Sequence, residues 1–223
     1  MENIAGHISS IKASLPDSVT LVAVSKFHPV DVVMKAYEAG QRVFGESRAT
    51  ELKQKALAMP SDIEWHFIGH LQTNKVRMII PYVSLIQSID SERLLRLVSD
   101  EAVRAGRVVD VLLQVHVAKE ETKFGFTPEE LIDFASKWDR NSTPGVRVRG
   151  VMGMASNVDD DNRIRRDFLD IADAFKALAD GPMADAGAFD TISMGMSHDY
   201  LMAVECGSNM VRIGTTIFGE REY

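Results

Sequence analysis

Short apolar runs alternate along the chain with longer stretches in which apolar residues recur every three to four positions. The spacing of Ile4, Ile8, Ile11 and Leu15 predicts a leading helix over about 2–15, ended by Pro16-Asp17. The apolar runs predict strands at Val19–Ser25, Arg42–Phe44, Ile63–Ile68, Leu85–Ile89, Val108–Val117, Val146–Met152, Thr191–Met194 and Met210–Ile213. Helical patterns fill the intervals. Pro29 suits a first helical turn and Gly40 a C-cap, and a second helix runs to about Ala58. Further helices are expected over Gln72–Ile80, from an Asp90 or Ser91 cap to Gly106, over Asp160–Ala179, and as a short piece at His198–Cys206. Thr127-Pro128-Glu129-Glu130 reads as an N-cap, an N1 proline and an acidic first turn.

Strands alternating with helices at this interval imply a parallel sheet. Eight such units at roughly 25 residues each fit a compact (β/α)8 TIM barrel of the α/β class. The expectation is a single domain over 1–223 with one leading helix. An open doubly wound sheet is the structural alternative. The absence of G-x-G-x-x-G after the first strand weighs against its dinucleotide-binding form.

Composition narrows the class. Among 223 residues, 45% are hydrophobic and 26% charged, which excludes a disordered, collagen-like or coiled-coil chain. A net charge of −7 gives no global attraction to nucleic acid or to an anionic membrane, though a local pocket could still hold an anion. The single cysteine, Cys206, excludes an intrachain disulfide and a Cys-based zinc site. Residues 1–18 lack an apolar core of signal-peptide length, and no run of about 18 apolar residues occurs. A cytoplasmic protein is the expectation.

In such barrels the active groups sit where strands end. Ser25-Lys26-Phe27-His28 follows the first strand, so Lys26 lies at a mouth, where an apolar pocket would depress its pKa and suit it to Schiff-base chemistry. The competing reading is a lysine snorkelling to water. After the second strand, Glu46 or Ser47 can cap the next helix. Ile68-Gly69-His70-Leu71-Gln72-Thr73-Asn74-Lys75 is rich in hydrogen-bonding groups, and His66 reads as a core histidine. Lys123, close to Gly125, could reach inward from a loop that otherwise reads as solvated.

The last two strands are the most informative. They run into Ser193-Met194-Gly195-Met196-Ser197-His198-Asp199 and into Arg212-Ile213-Gly214-Thr215-Thr216. Loops after strands seven and eight commonly form a phosphate site in barrels, with Ser197 opening a short helix and Gly214 allowing close backbone approach. Arg212, inside a strand, would point into the barrel or serve an internal ion pair. A reactive lysine beside a phosphate cradle points to an aldehyde phosphate, either pyridoxal 5′-phosphate or a sugar phosphate in an aldolase.

LVAVSK, FGE, WHFIGHLQTNK, EETKFG and SMGMSHD…GSNMVRIGTTIFGERE resemble the pyridoxal phosphate homeostasis proteins of the YggS/PROSC type over Leu21 to Tyr223. VRIGTTIFG also resembles the cofactor end of the alanine racemase N-terminal barrel. The resemblance implies pyridoxal 5′-phosphate held as an internal aldimine on Lys26, its phosphate on Ser197, Gly214 and Thr215, and Arg212 beside the pyridine nitrogen. With Ser47 and Ser193 these are the expected cofactor-binding residues; no catalytic residue and no metal ligand is assigned. Ser47 stands where the family usually has Asn, and His70 where it often has Pro.

The implied role is vitamin B6 homeostasis with little or no catalysis, with apo-enzymes as partners and a monomer or weak homodimer as the assembly. Physics agrees with weak catalysis. Arginine keeps its proton, so a pyridine nitrogen facing Arg212 stays neutral and the ring is a poor electron sink. Only Thr215–Tyr223 follows the last strand, so no second catalytic domain is expected. A racemase-like enzyme, the rival reading, would need a second base, for which His70, Lys123 and Tyr223 are the candidates.

Overall fold

Each apolar run forms a strand whose side chains alternate between two separate apolar environments, and that alternation builds the architecture. The computed structural model describes residues 3–117 and 124–220. Its strands are β1 (Thr20–Val24), β2 (Val43–Glu46), β3 (Glu64–Phe67), β4 (Val83–Ile89), β5 (Val109–Val115), β6 (Val146–Gly153), β7 (Thr191–Ser193) and β8 (Met210–Ile213). They pair in parallel and in sequence order, and β8 returns to β1 to close a barrel. The helices are α1 (Ile4–Ser14), α2 (Val30–Glu38), α3 (Ala49–Ala58), α4 (Val76–Ile79), α5 (Glu92–Arg104), α6 (Pro128–Lys137), α7 (Asp161–Asp180), α8 (Tyr200–Glu205) and α9 (Thr215–Phe218). This is the expected (β/α)8 arrangement with its leading helix. No described helix is long and apolar enough to cross a membrane.

Outward-facing residues such as Leu21, Ala23, Phe44, Trp65, Phe67, Val111, Leu113, Val211 and Ile213 join the layer under the helices. Leu52, Leu95, Val98, Leu131, Phe168 and Ile171 meet them from the helix side. Each such aliphatic or aromatic side chain contributes about 1.5–3 kcal/mol by leaving water. Inward-facing Val22, Leu85, Leu112, Met152 and Met210 form a second, smaller cluster on the barrel axis. Strand β1 supplies both, with Leu21 and Ala23 outside and Val22 inside.

Several boundaries differ from the sequence expectation for physical reasons. Strand β2 continues to Glu46, whose carboxylate is buried, so Glu46 does not cap α3. Arg48 holds the cap position there without a side-chain hydrogen bond. Helix α8 starts at Tyr200 with Asp199 at its cap, so Ser197 lies in the preceding turn and does not open the helix. The segment 72–80 begins with a tight turn at Thr73–Lys75 before α4. Helix α9 was not foreseen. The Thr127 N-cap, the Pro128 start and the acidic first turn of α6 form as expected, and Glu130 adds the reciprocal bond of a capping box.

Gly150 makes the closest strand approach. Its φ is +153°, and a Cβ there would lie 1.8 Å from the Thr191 carbonyl oxygen on β7. Neither backbone can yield without breaking the β6–β7 pairing. Gly150→Ala is expected to destabilise the fold by about 2–4 kcal/mol, read as a drop in the urea midpoint with the m-value unchanged.

Candidate functional site

The β1–β8 pairing dictates the site. Thr20, Leu21, Val22 and Ala23 stand opposite Met210, Val211, Arg212 and Ile213. The turn after β1 therefore emerges beside the turn after β8, at the carboxyl end of the barrel. Gly214 lies so close to β1 that a Cβ on it would sit 3.2 Å from the Val24 carbonyl oxygen. Lys26 follows two residues later, half-buried.

On the β8 side, the Gly214 N–H donates to Ser197 Oγ at 3.4 Å, a long and weak contact. Both groups retain capacity for a stronger acceptor or donor. The first intrahelical bond of α9 is Ile217 N–H to the Gly214 carbonyl at 2.8 Å, so the Thr215 and Thr216 N–H groups precede the helical ladder. The Thr215 side chain is exposed. Gly195, with φ at +96°, turns the β7 loop so that its carbonyl accepts from the Arg212 N–H at 3.0 Å. That bond fixes the loop carrying Ser197 against β8. Ser197, Gly214 and Thr215 are thereby brought together, close to the Lys26 turn.

Arg212 points into the barrel and is held by neutral acceptors. Its Nη1 donates to the Ser193 carbonyl at 2.8 Å and to Ser193 Oγ at 2.7 Å; its Nη2 donates to the Gly153 carbonyl at 2.9 Å. Among the described residues Arg212 forms no internal ion pair. Burial pulls the guanidinium down to about 10, with Asp199 acting the other way, so it keeps its proton at neutral pH. Ser193 is fully buried, and its hydroxyl donates onward to Gln87 Oε1 at 2.7 Å. Gln87 Nε2 lies 3.0 Å from His66 Nδ1. The amide donates, so the ring proton of neutral His66 resides on Nε2. Ser193 thus acts through Arg212, and Gln87 extends the chain of donors to the axis.

A second buried group, missed by the sequence reading, lies behind Lys26. Ser25 Oγ donates to Glu46 Oε1 at 2.6 Å, and Lys55 Nζ donates to the same oxygen at 2.7 Å. Glu51, one turn before Lys55 on α3, completes the cluster at 3.1 Å. Burial pushes the Glu46 carboxyl up to about 7 against the pull of Lys55 and the Ser25 hydroxyl. The sequence carried one signal of this cluster. Lys55 lies three residues after Leu52 and shares its buried face.

Ser47 is half-buried beside the third loop; a Cβ on Gly69 would lie 2.4 Å from its carbonyl oxygen. His70 is already engaged, with Nδ1 3.1 Å from Asp90 Oδ2 and its ring stacked on Phe124 at 3.7 Å between centroids. Lys123 and Tyr223 lie outside the described residues. No cluster of three or more potential metal ligands occurs among the described residues.

The donor set suits a phosphorylated aldehyde. It combines a primary amine at the mouth, a glycine cradle with a hydroxyl on each side, and a cation that cannot surrender its proton.

Comparison with known proteins bears on this geometry. Residues 1–222 match the family model described as alanine racemase, N-terminal domain. The chain is 40% identical over 232 residues to the pyridoxal phosphate homeostasis protein of Schizosaccharomyces pombe, covering 99% of this chain and 94% of the relative. It is 38% identical over 213 residues to that of Vibrio alginolyticus, covering 93% and 89%. PipY of Synechococcus elongatus, solved with pyridoxal phosphate bound, superposes with a TM-score of 0.86 at 33% identity, over 97% of this chain and all of PipY (100%). Alanine racemase from Bartonella henselae shares the fold alone, with a TM-score of 0.76 at 11% identity over 58% of its length.

Two buried titrations give opposite pH signatures. Glu46 binds its proton more tightly folded than unfolded, so the stability it lends is complete below about 4.5 and is lost as pH rises through about 7. In Glu46→Gln the melting temperature should fall less than in the wild type between about pH 5 and pH 8. Burial lowers His66 to about 4, so its contribution is present above about 6.5 and is lost as pH falls through about 4. His66→Gln should flatten that acid limb, measured by thermal melts across the same buffers.

Proposed function

The chain belongs to the pyridoxal phosphate homeostasis protein family, and on that footing we propose that it binds pyridoxal 5′-phosphate at the barrel mouth and serves vitamin B6 homeostasis as a holder of the cofactor. The observation that carries this reading is the convergence of the Lys26 turn with Ser197 and Gly214 through the β1–β8 ladder. When bound, the cofactor supplies an aldehyde that condenses with a primary amine.

Lys26 is the residue that would hold it covalently. Ser197 Oγ, the Gly214 N–H, and the Thr215 N–H and hydroxyl would take the phosphate. Backbone N–H groups aimed at an anion need no counter-cation, and Gly214 leaves room for close approach. Arg212 would face the ring nitrogen, oriented by Ser193 and Gly153. It donates and never gives up its proton at neutral pH, so it leaves that nitrogen without the charge that strong carbanion stabilisation uses. Ser47 would contribute at the ring periphery, with one hydroxyl in place of an amide.

The reading is of a carrier rather than a turnover enzyme. The curated relatives are named as homeostasis proteins, and the likeness to racemases is one of fold. His70, a candidate second base, is engaged with Asp90 and Phe124. This reading sets such a holder in the cytoplasm, with pyridoxal phosphate-dependent apo-enzymes as its recipients.

Borohydride reduction of the pyridoxal phosphate-loaded protein followed by peptide mapping should place the label on Lys26, and Lys26→Ala should lose the visible absorbance band of the loaded protein or bind the cofactor more weakly. A label elsewhere in the wild type, or an unchanged band and affinity in Lys26→Ala, would overturn the reading. Ser197→Ala with Gly214→Val should weaken cofactor binding by about tenfold or more, the loss of one or two charge-assisted hydrogen bonds.

A further inference from the structure

The buried charges behind Lys26 lie in a pattern that packing alone does not require. Lys55 Nζ donates to the Ser25 carbonyl oxygen at 2.7 Å. Glu51 Oε1 accepts from the Phe27 N–H at 2.7 Å. These are the two peptide groups that flank the Lys26 α-carbon. Each is fixed by a side chain of α3, and the two side chains are one helical turn apart and bonded to each other at 3.1 Å. Glu46, at the end of β2, anchors Lys55 and the Ser25 hydroxyl from the other side.

The backbone so held is strained. Phe27 is the single non-glycine residue among those described with a positive φ, at +70°. A left-handed conformation is costly for a bulky residue and persists only where the surroundings impose it. The Glu51 bond to the Phe27 N–H is such an imposition. Arg48, with its guanidinium carbon 4.4 Å from the Phe27 ring centre, is another. The cluster also carries a cost of its own. Glu46 Oε2 and Glu51 Oε2 are buried with no hydrogen-bond partner. A buried ion pair is seldom more stable than apolar side chains of the same volume. Three ionisable groups kept in the sheet–helix layer for stability would therefore be a poor solution, whereas three that fix one turn have a purpose.

We infer that Glu46, Glu51 and Lys55 are positioning residues for Lys26. They clamp the peptide planes on either side of its α-carbon and so aim its side chain into the barrel mouth. The inference rests on the proposed role of Lys26.

Reductive labelling of the full-length protein by pyridoxal 5′-phosphate and borohydride, timed and read by peptide mass at Lys26, tests the clamp. Inorganic phosphate, titrated as a competitor, probes the Ser197–Gly214 cradle independently of Lys26. Glu51→Leu and Lys55→Met should each slow Lys26 labelling by about tenfold or more, with phosphate affinity held within about twofold of the wild type. Glu51→Gln keeps a carbonyl acceptor for the Phe27 N–H and should recover most of the rate. Glu51 is 19% exposed and carries the test if Lys55→Met fails to fold. Wild-type labelling rates in Glu51→Leu would overturn the clamp. So would Glu51→Gln as slow as Glu51→Leu, or a parallel loss of labelling and phosphate binding, which marks general loosening. A wild type that takes no label at Lys26 would instead overturn the functional reading on which the clamp rests.

Discussion

The pairing of the first strand with the last is the constraint on which everything at the mouth depends. Four registered residue pairs, Thr20 with Met210 through Ala23 with Ile213, join segments about 190 positions apart. Without that ladder the Lys26 turn and the Gly214 turn have no reason to be neighbours. With it, the two turns emerge together at one end of the barrel, and the remaining six strands complete the ring between them. The proposed phosphate cradle needs no dedicated domain because it would be made of backbone N–H groups that precede the ladder of α9.

The barrel axis is divided by chemistry. Val22, Leu85, Leu112, Met152 and Met210 form its apolar part. Beside it runs a one-way series of donors from Arg212 through Ser193 and Gln87 to His66. Every member has a neutral partner, so the Arg212 cation is desolvated without being neutralised. The cost is visible in the depressed affinity of Arg212 for its proton, which still leaves it charged at neutral pH. The lateral layer between sheet and helices is largely apolar, and Glu46, Glu51 and Lys55 enter it behind Lys26.

Much of this was legible in the residues. Strand β8 has the bounds its β-branched run suggested, and the eightfold rhythm specified the barrel. Lys26, Ser197, Arg212, Gly214 and Thr215 could be singled out because chemistry-bearing types followed strands at one end. The buried cluster was not legible for a definite reason. Glu46 precedes Ser47 and Arg48 at a strand-to-helix junction, where an acidic residue ordinarily caps the helix. Its inward burial depends on β2 extending to position 46, and strand ends are the least determined part of any local pattern. Ser197 was misread as a helix start for a similar reason. Asp199, two residues on, accepts the Met196 N–H and takes the turn before α8 begins. Ser193 is wholly enclosed and meets Arg212, because inward positions of a small barrel fill with one another.

The closure ladder also has a consequence for how such a chain comes together. A parallel pair spanning nearly the whole sequence is among the slowest contacts to form, since its loop-closure entropy is met last. Until β8 arrives, β1 presents an open edge, Leu21–Val24, with apolar side chains on both faces. Seam residues are thus under a demand that no ligand imposes. Helix α1 answers part of it, since the His7 imidazole donates from Nδ1 to the Ile217 carbonyl of α9 at 3.1 Å and straps the seam once it has closed. During synthesis the Lys26 turn is made early and the Gly214 turn late, so the proposed site is incomplete until the ladder closes, and over that interval the open edge of β1 is exposed to mispairing.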